Sequence, residues 1–417
     1  MRVSRVSLVA LAATLICPGP SEPGAQTAHP RAAPRGEVSD PSGGPSAAPF
    51  SAEGQGTPAS QSRNGLSEEP LPSDEDLQII PASRRALPPP LPADLEWLRL
   101  PPISLEMLRG QIVLVDVWES SCVNCLRSLA VISRLQAEYS RHRFIALGIH
   151  APEYGFNMSK SAVDRAVRRL GLEFPIASDP RHSLWRAWDV EGWPTTFLLD
   201  TEGRVAYLHQ GEFTLGAIER RIRRLMREAW PAQRLPPPLA PAPDRDPYAP
   251  ECGFVTPEIP TRPGLDFLLN QEGGRRGETV IYADPGSARS EGTMYLRGPW
   301  SWLHDGLQRG TVPIPATIGI TYTAKEVYAV LALAGSAPQI VEVRQDGKWL
   351  TKETRGRDID ILYDGRSVLR LGESRLYFLV SNPDVSRHDL ELMPQSPSFM
   401  IYSFSFGNRC QVDFPHR

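Results

Sequence analysis

The feature of this sequence that most limits its fold is a pair of cysteines between an apolar strand and an amphipathic helix. Gln111–Trp118 reads QIVLVDVW, a β-branched run typical of a central strand that is covered on both faces. Cys122-Val-Asn-Cys125 follows, and from Cys122 to Tyr139 apolar residues recur at helical spacing. The order of strand, cysteine pair and helix predicts an α/β fold with both cysteines at the start of a helix.

That position predicts a reactive dithiol. The first turn of a helix has free N–H groups and the positive end of the macrodipole, and both stabilise a thiolate. Cysteine pKa values fall there from about 8.5 to roughly 3.5–7.5. Cys122 comes first and is expected to be the more exposed, so we predict that it is the nucleophile. Cys125, one turn further on, is then the thiol that resolves a mixed disulfide.

Proline-rich stretches divide the 417 residues. Residues 18–90 are rich in Pro, Ser, Gly and Ala and lack apolar periodicity, which is typical of flexible linkers. A second break runs from Pro236 to Pro250. The composition predicts a signal peptide over 1–25, a disordered linker over 26–92, a domain over 93–232, a proline-rich linker over 233–248 and a second domain over 249–417.

The N-terminal residues predict export. Met1–Arg5 contains two arginines, and the apolar run Val6–Ile16 is far shorter than the about 20 residues that cross a bilayer. Ala25 and Ala28 are both candidate cleavage positions. A lipid anchor at Cys17 is disfavoured because a bulky residue precedes it. We therefore expect an exported protein in a periplasmic or other extracytoplasmic compartment.

The first domain alternates strand and helix signals. Besides the central strand and the helix after the cysteines, strands are predicted over 143–149, 195–200 and 204–209, and helices over 159–170 and 215–226. Thr201-Glu-Gly203 is a hairpin turn between the last two strands. This series predicts an α/β domain with a mixed sheet and flanking helices.

The second domain shows only strand signals. Short apolar or alternating stretches occur at even spacing, over 318–323, 327–333, 341–349, 358–371, 375–381 and 399–406. Asp346-Gly347 and Asp364-Gly365 interrupt two of them and are typical of hairpin turns. The pattern predicts an all-β antiparallel sandwich.

The dithiol segment resembles the thioredoxin superfamily. Its strand, Asp-x-Trp and cysteine pair have that superfamily's register, and Asp116 matches the buried acid that accepts the proton of the second cysteine. Gly-Trp-Pro-Thr, ending at Thr195, matches the cis-proline turn that faces the dithiol. The resemblance implies that Trp193, Pro194 and Thr195 bind an extended substrate peptide.

Within the superfamily the sequence is similar to the TlpA/DipZ-type extracytoplasmic branch. Ser121–Arg127, Gly148–Phe156 and Trp193–Asp200 follow that branch in order. The second domain also resembles the β-domain that follows DipZ-type thioredoxin domains. The resemblance covers roughly residues 93–417. It departs from full DipZ- and DsbD-type proteins in having no multi-span membrane module, which implies a separate membrane or soluble electron donor.

The activity implied by the resemblance is thiol–disulfide exchange with protein substrates, with no cofactor. The partner resemblance favours reduction, while the Val-Asn dipeptide between the cysteines leaves the direction open. A net charge of −3 does not predict binding to nucleic acid.

Two further cysteines, Cys252 and Cys410, bracket the second domain. We predict a structural disulfide between them, because an even number of cysteines in an exported protein permits such bonds. No metal site is predicted, since zinc needs four ligands and usually a second close cysteine pair.

A binding role is the alternative function. Trp300, Trp302, Trp349 and Tyr363 have flat faces that could stack on a glycan, or the sandwich could hold a partner protein, with the dithiol secondary.

Three further polar residues lie near the dithiol in the sequence. His150 and Glu153 lie in the loop after the second strand, where they either organise that loop or steer the substrate. Glu119, three residues before Cys122, is expected to be an exposed loop charge.

Overall fold

The described chain has two folded parts. A computed structural model describes residues 77–239, 255–262, 267–270, 276–286, 289–335 and 337–408. We call residues 77–239 the α/β domain and the described residues from 255 to 408 the β-domain. Cys17, Cys252, Cys410 and the predicted signal peptide lie outside the described residues. No helix within the described ranges is long and apolar enough to cross a membrane.

The α/β domain is built on a six-stranded mixed sheet. Its elements are β1 (Glu96–Trp97), β2 (Ile112–Trp118), α1 (Val123–Tyr139), β3 (Phe144–His150), α2 (Lys160–Leu170), β4 (Ile176–Ser178), α3 (Ser183–Ala187), β5 (Thr195–Leu199), β6 (Val205–Gln210) and α4 (Leu215–Ala229). The strand order is β1-β4-β3-β2-β5-β6. Strands β2, β3 and β4 are parallel, and the other pairings are antiparallel.

Strand β2 is the centre of this sheet because all seven of its residues are buried. Successive side chains of a strand point to opposite faces. Leu114 and Trp118 accordingly join a core that includes residues of α1, α2 and α4, whereas Val115 and Val117 join a second core that includes α3. The helices therefore cover both faces, as the apolar run predicts.

The predicted linker over 26–92 extends too far, because its last residues are part of the folded α/β domain. Leu77 and Ile79 are buried in the same core as α1, and the backbone N–H of Ile80 donates to Ala206 in β6 at 2.8 Å. The buried Arg85 guanidinium pairs with Glu228 at 2.7 Å and with Asp200 at 3.3 Å. A proline-rich composition does not prevent an extended segment from packing along a domain, so residues 77–92 belong to the folded part.

The β-domain contains eleven strands. They are β7 (Ile259–Pro260), β8 (Thr279–Tyr282), β9 (Thr293–Trp302), β10 (Leu307–Arg309), β11 (Thr317–Leu333), β12 (Gln339–Gln345), β13 (Lys348–Trp349), β14 (Ile359–Ile361), β15 (Ser367–Leu371), β16 (Arg375–Pro394) and β17 (Phe399–Gly407). All pairings between these strands are antiparallel, which confirms the all-β antiparallel class.

Long strands connect the parts of the β-domain. The first half of β11 pairs with β9 and its second half pairs with β17, while β10 pairs with both β9 and β17. A bulge between Ala324 and Glu326 accompanies the change of partner. Bulges let one strand turn a corner between layers. The sequence pattern predicted two strands here, because the bulge interrupts the alternation.

The aromatic residues that suggested a glycan site are mostly used inside the β-domain. Trp300 is fully buried, so its predicted stacking role is wrong. Trp302 is partly buried, and its indole N–H donates to Tyr282 at 2.8 Å. The guanidinium of Arg344 lies 4.0 Å from the centre of the Trp349 ring. Of the four predicted residues, Tyr363 alone is fully exposed.

Candidate active site

The cysteine pair lies at the start of α1. Cys122 is the N-cap residue, and its sulfur accepts a hydrogen bond from the backbone N–H of Cys125 at 3.1 Å. The two cysteines form a disulfide with their Cα atoms 5.3 Å apart. Cys125 is fully buried, whereas Cys122 is only partly buried. No acidic residue lies in the first turn of α1, so no carboxylate there opposes the helix dipole.

Asp116 is a fully buried acid on the dithiol side of the sheet. Asp116 and Leu114 are two residues apart in β2, so their side chains lie on the same face of the sheet. Leu114 belongs to the same core as Cys125. The Thr196 hydroxyl donates to its Oδ1 at 2.6 Å, and among the described residues Oδ2 has no hydrogen-bond partner. Burial raises the pKa of Asp116 to about 7 against the effect of that hydrogen bond. A carboxyl in this state can gain or lose a proton near neutral pH.

A cis peptide bond joins Trp193 and Pro194 immediately before β5. The Trp193 indole N–H donates to the Ala151 carbonyl at 3.0 Å, which fixes the ring beside the loop after β3. The Thr195 hydroxyl donates to the Gly192 carbonyl at 2.7 Å and is buried. Trp193 and Cys122 both line one surface groove. The Thr195 side chain instead organises the turn.

Glu119 is not an exposed loop charge, and that prediction is wrong. It is fully buried and accepts hydrogen bonds from the backbone N–H and the hydroxyl of Ser121, each at 2.5 Å, and from the amide of Asn157. Burial raises its pKa. A carboxylate that accepts from the residue just before Cys122 holds the loop in place. No local sequence pattern predicts the contact with Asn157, which lies 38 positions away.

His150 is also a buried structural residue. Its Nε2 accepts a hydrogen bond from the backbone N–H of Ser120 at 3.2 Å, and its ring meets Trp118 edge-on at 4.9 Å between centroids. Burial lowers the pKa of His150 to about 3. The imidazole is therefore neutral at physiological pH and supports the loop before the dithiol.

The partly exposed Cys122 opens into a groove of about 420 Å³ between the two domains. On the α/β side the groove is lined by Cys122, Asn124, Glu153 and Trp193. On the β-domain side it is lined by the segment 255–258 and the segment 405–408 at the end of β17. The β-domain thus supplies a wall of the dithiol groove, which the sequence did not indicate.

A buried ion-pair cluster joins the two domains beside this groove. Arg127, in α1, contacts Glu212 of the α/β domain at 3.2 Å and Glu326 of β11 at 3.5 Å. The Tyr328 hydroxyl donates to Glu326 at 2.9 Å. All three charged side chains are at most 12% exposed. Arg127 and Glu326 are 199 positions apart, so no local pattern could predict their contact.

Apolar contacts continue across the same junction. The ring of Tyr402, in β17, lies 4.8 Å from Tyr154 and 5.5 Å from Phe156 between centroids. Val330 and Leu376 of the β-domain belong to the core that contains α1. Both domains belong to one compact unit. The β-domain is therefore fixed against the loop that carries Glu153.

Two family models match the two domains. Residues 96–222 match a family described as Redoxin. Residues 266–407 match a family described as a thioredoxin-like C-terminal domain. The matches fall on the α/β domain and on the β-domain respectively.

Relatives match parts of the same chain, and a solved structure is similar to part of it. Protein DipZ of Mycobacterium bovis is 29% identical over 318 residues, which are 75% of this chain but only 41% of DipZ. Thiol-disulfide oxidoreductase ResA of Halalkalibacterium halodurans is 30% identical over 125 residues, 30% of this chain and 68% of ResA. A crystal structure of a thiol-disulfide isomerase from Corynebacterium glutamicum is 25% identical, covers 33% of this chain and 96% of its own, and has a TM-score of 0.31. With more than two thirds of ResA matched at this identity, the chain belongs to the thioredoxin superfamily, together with ResA.

Proposed function

We propose that this protein exchanges dithiol and disulfide with protein substrates through Cys122 and Cys125, in the reducing direction. The observation that carries the proposal is the disulfide across the first turn of α1, with one sulfur partly exposed in a groove and the other buried. A helix N-terminus stabilises a thiolate at the exposed position.

The proposed reaction has two steps. In the reduced protein the Cys122 thiolate attacks one sulfur of a substrate disulfide, which forms a mixed disulfide and releases the other substrate sulfur as a thiolate. The thiolate of Cys125 then attacks the Cys122 sulfur. The second substrate sulfur leaves, the substrate ends as a dithiol, and Cys122 and Cys125 end as a disulfide. Two electrons pass from the protein to its substrate.

Asp116 is the proposed acceptor of the Cys125 proton. Its pKa of about 7 lets the carboxyl group take up or release a proton near neutral pH. The carboxyl lies on the same face of β2 as the core that holds Cys125. Trp193 and Pro194 are the proposed contacts for the backbone of the substrate.

The disulfide of Cys122 and Cys125 must be reduced again after each reaction. We therefore propose a separate dithiol protein, either membrane-bound or soluble, as electron donor. The predicted export of the chain fits an exchange with folded or folding proteins outside the cytoplasm. Fractionation of cells that produce the full chain tests this location.

The decisive experiment is a pair of single substitutions together with a redox titration. We expect Cys122→Ser to abolish reduction of insulin and Cys125→Ser to accumulate a mixed disulfide at Cys122. Equilibration with glutathione should give a reduction potential of about −270 mV for a reductant, whereas about −120 mV would indicate an oxidant. Insulin reduction that survives in Cys122→Ser would refute the proposal.

A further inference from the structure

Hydrogen bonds to neighbouring strands hold the β-domain wall of the groove in place. The Thr256 hydroxyl donates to Glu291 at 2.6 Å and accepts from the backbone N–H of Thr323 at 2.7 Å. The backbone N–H of Thr256 donates to the Thr323 carbonyl at 3.0 Å. At the other end of the segment, the Thr261 N–H donates to the Tyr402 carbonyl at 2.8 Å. Glu258 lies between these anchors and lines the groove. Its backbone position is therefore set by the β-domain.

The charge of the groove is predominantly negative. Glu153, Glu212 and Glu258 line it. Among the residues that the structure describes, Arg127 is the one cationic side chain in the lining, and it already contacts Glu212 and Glu326. Glu153 lines one wall and Glu258 the other, and the charge of Glu258 helps to raise the pKa of Glu153. Both keep contact with water at the groove surface.

Hydrogen bonds within the protein lower the pKa values of these two carboxylates only in part. The pKa of Glu153 is raised to about 7, first by the surrounding protein atoms and then by Glu119 and Glu258. The pKa of Glu258 is raised by its surroundings as well. Arg262 is near enough to lower both pKa values but does not reverse either shift. A cation that entered the groove would offset this repulsion.

The chemistry of exchange determines what enters. A mixed disulfide joins the substrate sulfur to Cys122, so the residues next to the substrate cysteine must lie in the groove. Walls on two sides exclude a broad surface and admit a single extended segment. The position of Glu258 on one wall and Glu153 on the other brings both carboxylates beside that segment.

We infer that the β-domain is the specificity-determining wall of the groove, and that it selects substrates whose cysteine lies in an extended segment beside a lysine or arginine. The inference rests on the proposed thiol–disulfide exchange and adds the substrate class. Glu258 attracts the cationic side chain from the β-domain, and Glu153 does so from the opposite wall.

The test compares reduction rates for three disulfides. The reduced full chain is mixed at neutral pH and low salt with bis(2-hydroxyethyl) disulfide and with two short, unstructured disulfide peptides. One peptide has lysines beside its cysteines, and the other has glutamates. We expect the ratio of the lysine-peptide rate to the glutamate-peptide rate to fall about fivefold or more in Glu258→Gln. Because the same peptides are used for each variant, their intrinsic reactivities cancel.

The matched control is Glu353→Gln, which removes an exposed carboxylate of the β-domain outside the groove lining. We expect it to leave the ratio unchanged, and we expect added salt to reduce the preference of the unmodified chain. An equal ratio in the unmodified chain and Glu258→Gln, an equal effect of Glu353→Gln, or a salt-independent preference would each overturn the inference. Failure to reduce even bis(2-hydroxyethyl) disulfide would instead refute the proposed function.

Discussion

The two walls of the dithiol groove differ in how they are made. The α/β wall comes from short stretches of chain, namely the start of α1, the loop after β3 and the turn before β5, and each has a local sequence pattern. The β-domain wall comes from segments about 150 residues apart, 255–258 and 405–408, which only the folded β-domain brings together. The first wall contains the reactive groups. The second narrows their access and, in our inference, selects the substrate.

The junction between the walls gives the largest predicted effect on stability. Replacing Arg127 by Met leaves the carboxylates of Glu212 and Glu326 without their buried guanidinium. Removing one member of a buried ion pair typically costs about 3–5 kcal/mol. We therefore expect the free energy of unfolding of Arg127→Met, measured in urea, to fall by about that amount in a single transition, because the core is shared across the junction.

Arg181→Met is the matched control for Arg127→Met. Arg181 pairs with Asp94 at 2.9 Å but is 65% exposed, and exposed pairs contribute at most about 1 kcal/mol. If both variants lose the same small amount, the buried cluster does not hold the walls together. Two separate unfolding transitions in the unmodified chain would likewise contradict a shared core.

Asp116 should give the next largest effect, and its sign depends on pH. In the unfolded chain its pKa is about 4, whereas in the folded protein it is about 7. Between these values the folded state keeps a proton that the unfolded state has lost, so the free energy of unfolding falls as pH rises. From pH 5 to pH 8 this loss is about 3 kcal/mol. The asparagine in Asp116→Asn does not titrate. The free energy of unfolding of this variant, relative to that of the unmodified oxidised protein, should therefore rise by that amount from pH 5 to pH 8.

The control for Asp116→Asn is Asp94→Asn. Hydrogen bonds from Ser183 and Arg181 lower the pKa of Asp94, so its contribution is complete above pH 5 and changes only in more acidic solution. The stability difference between Asp94→Asn and the unmodified chain should therefore be equal at pH 5 and pH 8. An equal difference for Asp116→Asn at both pH values would remove the basis for its role as proton acceptor.

Sequence patterns predicted the elements of the α/β wall because each depends on neighbouring residues. The helix from Cys122 to Tyr139 appears as α1 with Cys122 as its cap, and the predicted strand 195–200 appears as β5. The prediction that Glu119 is an exposed loop charge is wrong because its burial depends on Asn157, which lies in another loop 38 positions away. In the same way, the pairing of Arg127 with Glu326 depends on how two domains dock. Local periodicity contains no information about such contacts.

The smallest predicted effect concerns a part of the β-domain that does not line the groove. Gly347 lies in the turn between β12 and β13 with φ +72°, and a Cβ atom there would meet nothing within 4 Å. Gly347→Ala should therefore lower the free energy of unfolding by roughly 1 kcal/mol, because alanine is less stable than glycine in the left-handed backbone conformation. Because Glu258 is positioned by β11 and β17, the ratio of reduction rates for the lysine and glutamate peptides should stay unchanged. A reduced ratio in Gly347→Ala would mean that selectivity depends on the stability of the whole β-domain, and the second wall would lose its specific role.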